Sequence, residues 1–455
     1  MPRRHLQRHP LGRGVTTSGL HHHVARQTHD RASPPYSSCH MVNLEADLPA
    51  PSTERIAVHV TGDALRQLRG GHPWIWDGSI VRVSAQGKAG DLAVIFDDKR
   101  KFAGIGLWDP HAPIAVRVLH RGSPQTIDAA FFADKLLTAY TRRQRLHDDP
   151  HTTGYRLVHG ENDGLPGLVV DRYDSTLVIK LDSPVWVPHL HTLVEPLIEL
   201  TDATRIVLRA SRRIIERLPH VLRDSPTIFG AAPRGPIEFY ENGLVFEADV
   251  ERGQKTGHFL DQRDNRQLIG DRCNDAHVLD VFCNTGGFSV YAAAGGARSV
   301  HSVDVSHHAI KATQRHIEIN CSGLGFDARH TSQVADAFEA MTELADRHQR
   351  FDVVIVDPPT FAPNTASVPA ARHAYRRLTS LALELLATGG TLLQASCSSR
   401  IPADEFHALV TGEIAENDMK AINTIRTGHA VDHPIEFEQG AYLKAMLTQV
   451  VPARR

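Results

Sequence analysis

The sequence predicts an α/β protein whose C-terminal half is a doubly wound, Rossmann-like parallel sheet. A small β-barrel and a small α+β domain are predicted to precede it. Three observations support this fold class. Apolar strand runs and helical patterns alternate regularly between residues 278 and 411, which is typical of parallel strands crossed by helices. Six short apolar runs with Gly and Pro between them occupy residues 55–119, and a looser alternation of strands and helices follows up to residue 236.

Length and composition describe an ordinary globular protein. The chain has 455 residues, of which 41% are hydrophobic and 22% are charged, and it is long enough for several domains. No run of 18 apolar residues occurs, so no membrane-spanning helix is predicted. The five cysteines form no C-x-x-C pair. This disfavours a disulfide framework or a metal site and favours the reducing environment of the cytoplasm.

The first 52 residues differ from the rest of the chain. They are rich in His, Arg, Ser and Pro and show no hydrophobic period, so they are predicted to be disordered. An over-extended start, with Met41 as the natural first residue, is an equal expectation. An organelle-targeting segment is the third interpretation, because the stretch is rich in Arg and poor in acids.

The charge gives little indication of a nucleic-acid partner. The net charge is −2, so a protein of this composition must concentrate its cations locally to bind a polyanion. Residues 142–145 and 205–213 are the two candidate basic patches. Such runs are more often solvated surface.

The predicted elements divide the chain into three folded parts. The six apolar runs define a barrel at 53–122. A helix at 127–147, a strand at 176–181, a helix at 189–200 and a strand at 205–209 define the α+β domain at 123–236. Two further strands, at 237–240 and 244–249, lead into the last domain at 237–455.

The segment V-L-D-V-F-C-N-T-G-G-F-S-V, residues 278–290, carries the strongest functional signal. A buried strand enters a turn with two glycines, which let backbone amides approach a ligand at the start of a helix. Asp304 ends the next apolar run, where a carboxylate can bind a ribose. The G-x-G-x-x-G spacing of NAD and FAD sites is absent, so S-adenosylmethionine is the predicted ligand. The predicted cofactor residues here are Asp280, Phe282, Cys283, Asn284, Thr285, Gly286, Gly287 and Asp304.

Two further strands end in residues that can do chemistry. An apolar run at 352–356 delivers Asp357 ahead of two prolines, and a run at 390–395 places Cys397 just past its end. An acid and a thiolate beside a methyl donor suit methylation of cytosine at carbon 5, because a thiolate adding to carbon 6 activates carbon 5. In the alternative interpretation, Asp357 caps a turn and Cys397 is a small buried hydrophobe.

The loop G-Q-K-T-G-H-F-L-D-Q-R-D-N-R, residues 253–266, precedes the cofactor strand and is dense in charge. Gln262 and Arg263 are predicted to hold the methionine carboxylate or the substrate. A salt-bridged structural role is nearly as well supported.

Together these segments resemble a known family, the bacterial large-subunit ribosomal-RNA cytosine-5 methyltransferases that carry a PUA domain. The matching segments are R-G-G-H-P-W-I-W (69–76), E-N-D-G-L-P-G-L-V-V-D-R-Y (161–173), the charged loop (253–266), L-D-V-F-C-N-T-G-G-F-S (279–289), D-P-P-T-F (357–361), S-C-S (396–398) and Y-L-K (442–444). The resemblance covers roughly residues 55–450. It implies a PUA-like barrel, a central α+β domain and a class I methyltransferase domain that uses S-adenosylmethionine. Ribosomal RNA of the large subunit is the implied partner, and many members of the family dimerise.

The resemblance also implies residue roles. Cys397 is expected to be the nucleophile, Asp357 the assisting acid and Asp304 the ribose ligand, while Asp336 is expected near the adenine. Thr360 departs from the family pattern and also occurs in enzymes that methylate guanine. The alternatives are therefore a guanine exocyclic-amine methyltransferase of ribosomal RNA and a non-catalytic RNA-binding protein of the same fold.

Overall fold

The computed structural model describes residues 42–97, 99–325 and 327–453. The predictions for residues 1–41, including the over-extended start, lie outside the described residues. The remainder of the chain from Met41 forms a compact unit. Among the described helices, none is long and apolar enough to cross a membrane.

The first folded part is a six-stranded sheet. Its strands are β1 (Arg55–Val60), β2 (Trp74–Trp76), β3 (Ile80–Val83), β4 (Leu92–Phe96), β5 (Phe102–Trp108) and β6 (Ile114–Arg121). The sheet order is β2-β6-β5-β4-β1-β3. Its two edges, β2 and β3, are consecutive in the chain and separated by a single turn at Asp77–Ser79, so the sheet curls until these edges come together.

A helix that the sequence analysis did not predict, α1 (Gly62–Arg69), packs on this sheet. Thr61 begins it by accepting a hydrogen bond from the backbone N–H of Ala64, an N-cap of the usual kind. Leu65 and Leu68 are buried beneath it. With two turns and two buried leucines, the helix is too short to give a clear helical period.

The second part is the five-stranded sheet β11-β10-β9-β8-β7. Its strands are β7 (Gly154–His159), β8 (Leu168–Tyr173), β9 (Thr176–Leu181), β10 (Arg205–Ala210) and β11 (Thr227–Phe229), and its helices are α2 (Ala129–Arg142), α3 (Gln144–His147) and α4 (Leu190–Thr201). The helix predicted at 127–147 is broken at Arg143. There the guanidinium turns inward and forms a bidentate ion pair with Asp163, at 2.8 and 2.7 Å. Arg143 is therefore part of the interior and not of a basic surface patch.

Residues 42–52, which were predicted to be disordered with the segment before them, contribute two side chains to a hydrophobic core. Val42 and Leu48 are 9% and 8% exposed and belong to the hydrophobic core of the second part. Two apolar side chains in a polar stretch give no periodic signal, yet the folded second part of the same chain can bury them.

The last part begins with the hairpin β12 (Ile237–Glu241) and β13 (Leu244–Ala248) and continues into a seven-stranded sheet in the order β16-β15-β14-β17-β18-β20-β19. Its strands are β14 (His277–Val281), β15 (Ser299–Asp304), β16 (Arg329–Val334), β17 (Phe351–Val356), β18 (Leu386–Ser396), β19 (Met419–Thr427) and β20 (Lys444–Pro452). Its helices are α5 (Arg263–Gly270), α6 (Gly287–Ala294), α7 (His307–Leu324), α8 (Ala337–Asp346), α9 (Val368–Leu385) and α10 (Ala403–Glu416). The five strands β14 to β18 are parallel, and β20 joins antiparallel.

Within the alternation predicted for residues 278–411, one helical pattern spans 333–345, but helix α8 begins only at Ala337, because Asp336 caps it by accepting hydrogen bonds from the backbone N–H groups of Phe338 and Glu339. The residues before it form the edge strand β16, whose sequence R-H-T-S-Q-V is polar. An edge strand that is half exposed to water needs no apolar run, so the sequence shows no strand pattern here. Strands β19 and β20 were also not predicted.

Candidate active-site cleft

The carboxyl ends of β14, β15, β17 and β18 meet at one edge of the large sheet, as parallel strands require. A cleft of about 560 Å³ lies there, a volume in the range of small-molecule sites. Of the predicted residues it is lined by Gln262, Phe282, Cys283, Asn284, Thr285, Gly287, Asp304, Asp357 and Cys397. The structure therefore brings the predicted ribose ligand, acid and nucleophile into one cavity.

The loop after β14 positions Asp304. Phe282 and Asn284 both have positive φ, 63° and 49°, so the chain turns sharply as it leaves the strand. The backbone N–H of Asn284 donates to Asp304 Oδ2 at 2.9 Å, and that of Ser306 donates to Oδ1 at 2.8 Å. Each carboxylate oxygen keeps a further acceptor site, which can face a ligand hydroxyl.

Two glycines at the start of α6 pack closely against neighbouring elements. A Cβ on Gly286, whose φ is +78°, would lie 2.6 Å from Thr313 Cγ2, and one on Gly287 would lie 2.9 Å from Arg266 Cδ. A side chain at Gly286 would push the loop away from α7, and one at Gly287 would collide with Arg266 of α5. Gly286 thus shapes the loop from behind rather than lining the cavity.

The cleft fits a nucleoside without phosphates. Val305, directly after Asp304, is 73% exposed at the cleft wall, an unusual position for an apolar side chain and a suitable one for the face of an adenine. Asp304 offers acceptors for ribose hydroxyls. Gly287 and Phe288 at the N-terminus of α6 line the cleft, and the backbone N–H groups of a helix N-terminus favour a carboxylate. These features agree with S-adenosylmethionine.

Asp357 is held by Gln262, whose side-chain amide donates to Oδ2 at 2.9 Å. Burial raises the pKa of Asp357 to about 7, and the nearby carboxylate of Asp261 adds to the rise. At neutral pH the carboxyl group is therefore divided between its two protonation states. Such a group can both accept and donate a proton.

Asp261 forms the centre of a charged group that also lines the cleft. Its Oδ2 accepts from Lys255 Nζ at 2.6 Å and from the Tyr442 hydroxyl at 2.7 Å. Burial alone would raise its pKa, but the Lys255 ammonium, His433 and the hydrogen bonds from Lys255 and Tyr442 together outweigh burial and lower the pKa below its usual range. Lys255 also lies 4.3 Å from the ring centroid of Phe259.

Cys397 is a protonated thiol in the resting cleft. Burial and, to a smaller extent, the carboxylate of Asp357 raise its pKa to about 11. Its Sγ donates weakly to the carbonyl oxygen of Pro358 at 3.8 Å. The low thiol pKa that its predicted role would favour is absent from the resting state, because burial and the carboxylate of Asp357 outweigh the cations of Lys255 and Lys444.

Three predicted site residues lie away from the cleft. Asp280 is fully buried under the loop and accepts from Ser289 Oγ at 2.6 Å. Arg263 is buried in an ion pair with Asp432, at 2.6 Å. Asp336 caps α8 and is not among the residues that line the cleft.

Sequence reasoning missed several residues of the cleft wall. These are Lys255, Phe259, Asp261, Arg266, Phe288, Val305 and Tyr442. Lys255, Asp261 and Arg266 stand in the charged loop already singled out, and Tyr442 begins the Y-L-K segment. The signal for Lys255, Asp261 and Arg266 was the high density of charge in a loop next to the cofactor strand.

Two family models match the chain. Residues 155–447 match a model described as S-adenosylmethionine-dependent methyltransferase, and residues 58–121 match a PUA-like domain. Among curated proteins, a ribosomal RNA large subunit methyltransferase of Deinococcus radiodurans is 39% identical over 407 residues, covering 88% of this chain and 99% of its own. The ribosomal RNA large subunit methyltransferase I of Alteromonas mediterranea is 34% identical over 388 residues, covering 85% and 96%.

Solved structures share the fold. A protein described as a SAM-dependent methyltransferase from Streptococcus mutans superposes with a TM-score of 0.73 at 19% identity, covering 86% of this chain and 99% of that one. A methyltransferase structure complexed with SAH gives a TM-score of 0.74 at 20% identity, covering 87% and 99%. The predicted order of a PUA-like part followed by a methyltransferase fold is confirmed.

Proposed function

This chain belongs to the S-adenosylmethionine-dependent, PUA-domain-containing ribosomal RNA large subunit methyltransferases, and we propose that it methylates carbon 5 of a cytosine in that RNA. The predicted cofactor, S-adenosylmethionine, is confirmed by the family match and supplies an electrophilic methyl group. The observation that carries the proposed base specificity is the meeting of Cys397 and Asp357 in the cleft that also contains Asp304.

The two side chains supply what cytosine lacks as a nucleophile. Cys397 Sγ forms a bond to carbon 6 while ring nitrogen 3 takes up a proton, and carbon 5 becomes an enamine carbon. Carbon 5 then bonds to the methyl carbon as the methyl–sulfur bond breaks. A base removes the carbon-5 proton, the bond from Sγ to carbon 6 breaks to release the thiolate, and the proton on nitrogen 3 returns to that thiolate.

Asp357 resolves how a thiol with a pKa of about 11 can react. Cys397 loses one proton and nitrogen 3 gains one. A carboxyl group with a pKa of about 7 can carry this proton from the thiol to nitrogen 3. The thiolate then exists only as the bond to carbon 6 forms. A strongly acidic thiol is unnecessary in this scheme.

The proposal is tested by mapping the modified nucleotide. Large-subunit RNA from cells that lack this enzyme is treated with the purified protein and S-adenosylmethionine, digested, and analysed by mass spectrometry. We expect one new 5-methylcytidine with wild-type protein and none with Cys397→Ala, which should still bind S-adenosylmethionine. Methylation of another base would contradict the proposal.

The second candidate is methylation of a guanine exocyclic amine, and the raised pKa of Cys397 favours it, because that reaction needs no thiolate. Asp357 would then accept a proton from the amine. In that case Cys397→Ala keeps full activity, and the new nucleoside is a methylguanosine. The same experiment therefore separates the two candidates.

A further inference from the structure

A second cavity of about 300 Å³ lies beside the reaction cleft. We call it the interdomain cavity, because Trp74 comes from the PUA-like sheet, His159 from the central sheet and Phe437 from the methyltransferase part. Lys255 and Tyr442 line both this cavity and the reaction cleft. They therefore form the wall between the two spaces.

The interdomain cavity has an aromatic side. Trp74 and Phe437 meet edge to face, with ring centroids 5.3 Å apart at 79°. The indole Nε1–H of Trp74 donates to Glu161 Oε1 at 2.8 Å, which fixes the orientation of the ring across the boundary between two parts of the fold. Both rings are only partly buried, so each keeps exposed aromatic surface that a planar partner can contact.

The other side is polar. Arg156 donates to Nδ1 of His159 at 3.1 Å, so Nε2 carries the proton of the neutral ring. Nε2 has no hydrogen-bond partner within the described part of the chain, although His159 is 7% exposed. Lys180, paired with Asp182 at 2.6 Å, adds a cation within reach of a phosphate. Buried donors without partners are uncommon and often mark a site for a ligand.

We propose that the interdomain cavity binds the nucleobase next to the methylated nucleotide, unstacked from single-stranded RNA and placed against Trp74 and Phe437. The volume suits one nucleotide, and the wall shared with the reaction cleft suits two neighbouring nucleotides of one strand. Proteins read single-stranded RNA by stacking splayed bases on aromatic side chains. This inference rests on the proposed RNA substrate and adds a binding site for the nucleotide next to the methylated one.

The test compares three variants with wild-type protein on the mapped RNA. Trp74→Ala removes the stacking surface and should raise KM for RNA about 10-fold, the scale of one base–aromatic stack. The kcat and the affinity for S-adenosylmethionine should stay unchanged. Trp74→Phe keeps a ring without the indole N–H and should restore most of the affinity. Trp76→Ala is the matched control, because Trp76 is 40% exposed on the same strand but does not line the cavity.

An RNA with an abasic residue beside the target gives the second readout. It should bind wild-type protein about 10-fold more weakly and lose nothing further with Trp74→Ala. The inference is wrong if Trp74→Ala and Trp76→Ala behave alike, or if Trp74→Phe is as weak as Trp74→Ala, which would make the contact to Glu161 the important one. If wild-type protein methylates no ribosomal RNA at all, the proposed function fails instead.

Discussion

The side-chain amide of Gln262 donates a hydrogen bond to Asp357 across 2.9 Å, although the two residues are 95 positions apart. This contact joins the charged loop before β14 to the end of β17. It stabilises the ionised form of a carboxyl group that burial would otherwise keep protonated. The hydrogen bond thus contributes, with burial, Asp261 and Lys255, to the balance between the two protonation states of Asp357.

Gln262→Leu should move the pH profile of methylation. If Asp357 acts as a proton donor to the base, kcat/KM falls as pH rises through its pKa of about 7. Loss of the donated hydrogen bond destabilises the carboxylate and raises that pKa, so the falling limb should shift to higher pH. Gln267→Leu is the control, since Gln267 contacts Asp271 on α5. An unshifted limb would mean that another group titrates.

Asp304→Ala should weaken S-adenosylmethionine binding by about 2 kcal/mol, the scale of hydrogen bonds to a charged group. Isothermal titration calorimetry measures the change. Asp336→Ala provides the comparison. It removes the cap of α8 and should cost about 1 kcal/mol of stability while leaving the dissociation constant unchanged. If Asp336→Ala weakens binding as much, the adenine contact implied by the family resemblance is real.

Removal of residues 1–40 should have no effect, whereas removal of residues 41–52 as well should destabilise the protein. A chain that begins at Met41 should keep wild-type thermal stability and methyl transfer. A chain that begins at residue 53 loses Val42 and Leu48 from the core and should be less stable by about 3 kcal/mol, from two apolar side chains. Differential scanning calorimetry distinguishes the two. Equal melting temperatures would show that this burial contributes nothing.

Arg263→Met should destabilise the protein without a direct effect on the cofactor. The substitution leaves Asp432 as a buried charge without its main cation, which costs about 3–5 kcal/mol. Chemical denaturation measures the loss, and the double variant Arg263→Met with Asp432→Asn should recover part of it. A large rise in the S-adenosylmethionine dissociation constant of still-folded Arg263→Met would support the original expectation that Arg263 holds the methionine carboxylate.

The parts of the site that sequence could predict are those fixed by chain direction. Asp304, Asp357 and Cys397 each follow an apolar run, and the carboxyl ends of parallel strands meet at one edge. No knowledge of distant partners was needed to bring them together. The glycine turn before α6 was predicted from its own two glycines, which is also local information.

The remaining residues depend on partners that the local sequence does not reveal. Arg263 turns away from the cleft because Asp432, 169 positions later, lies beneath it. Lys255 and Tyr442, 187 positions apart, both donate to Asp261, and the interdomain cavity needs all three parts of the fold. The Cys397 thiol shows the same limit, since its pKa depends on burial and on Asp357.

The last prediction concerns the covalent step. RNA carrying 5-fluorocytosine at the mapped position should become trapped on the enzyme, because the bond from Cys397 to carbon 6 can form but fluorine cannot leave carbon 5 as a proton does. A denaturing gel should show a protein–RNA band with wild-type enzyme and S-adenosylmethionine, and no band with Cys397→Ala.

Cys283→Ala is the matched control for this trap. Cys283 lines the same cleft, but it is 5% exposed and its Sγ lies 3.7 Å from the Thr313 hydroxyl, so its removal should leave the band intact. Asp357→Asn should slow formation of the band, because the asparagine cannot carry the thiol proton to nitrogen 3. A band that persists in Cys397→Ala would make Cys397 structural. If wild-type enzyme forms no band on an RNA whose unmodified version it methylates, transfer to a guanine amine becomes the better explanation of the cleft.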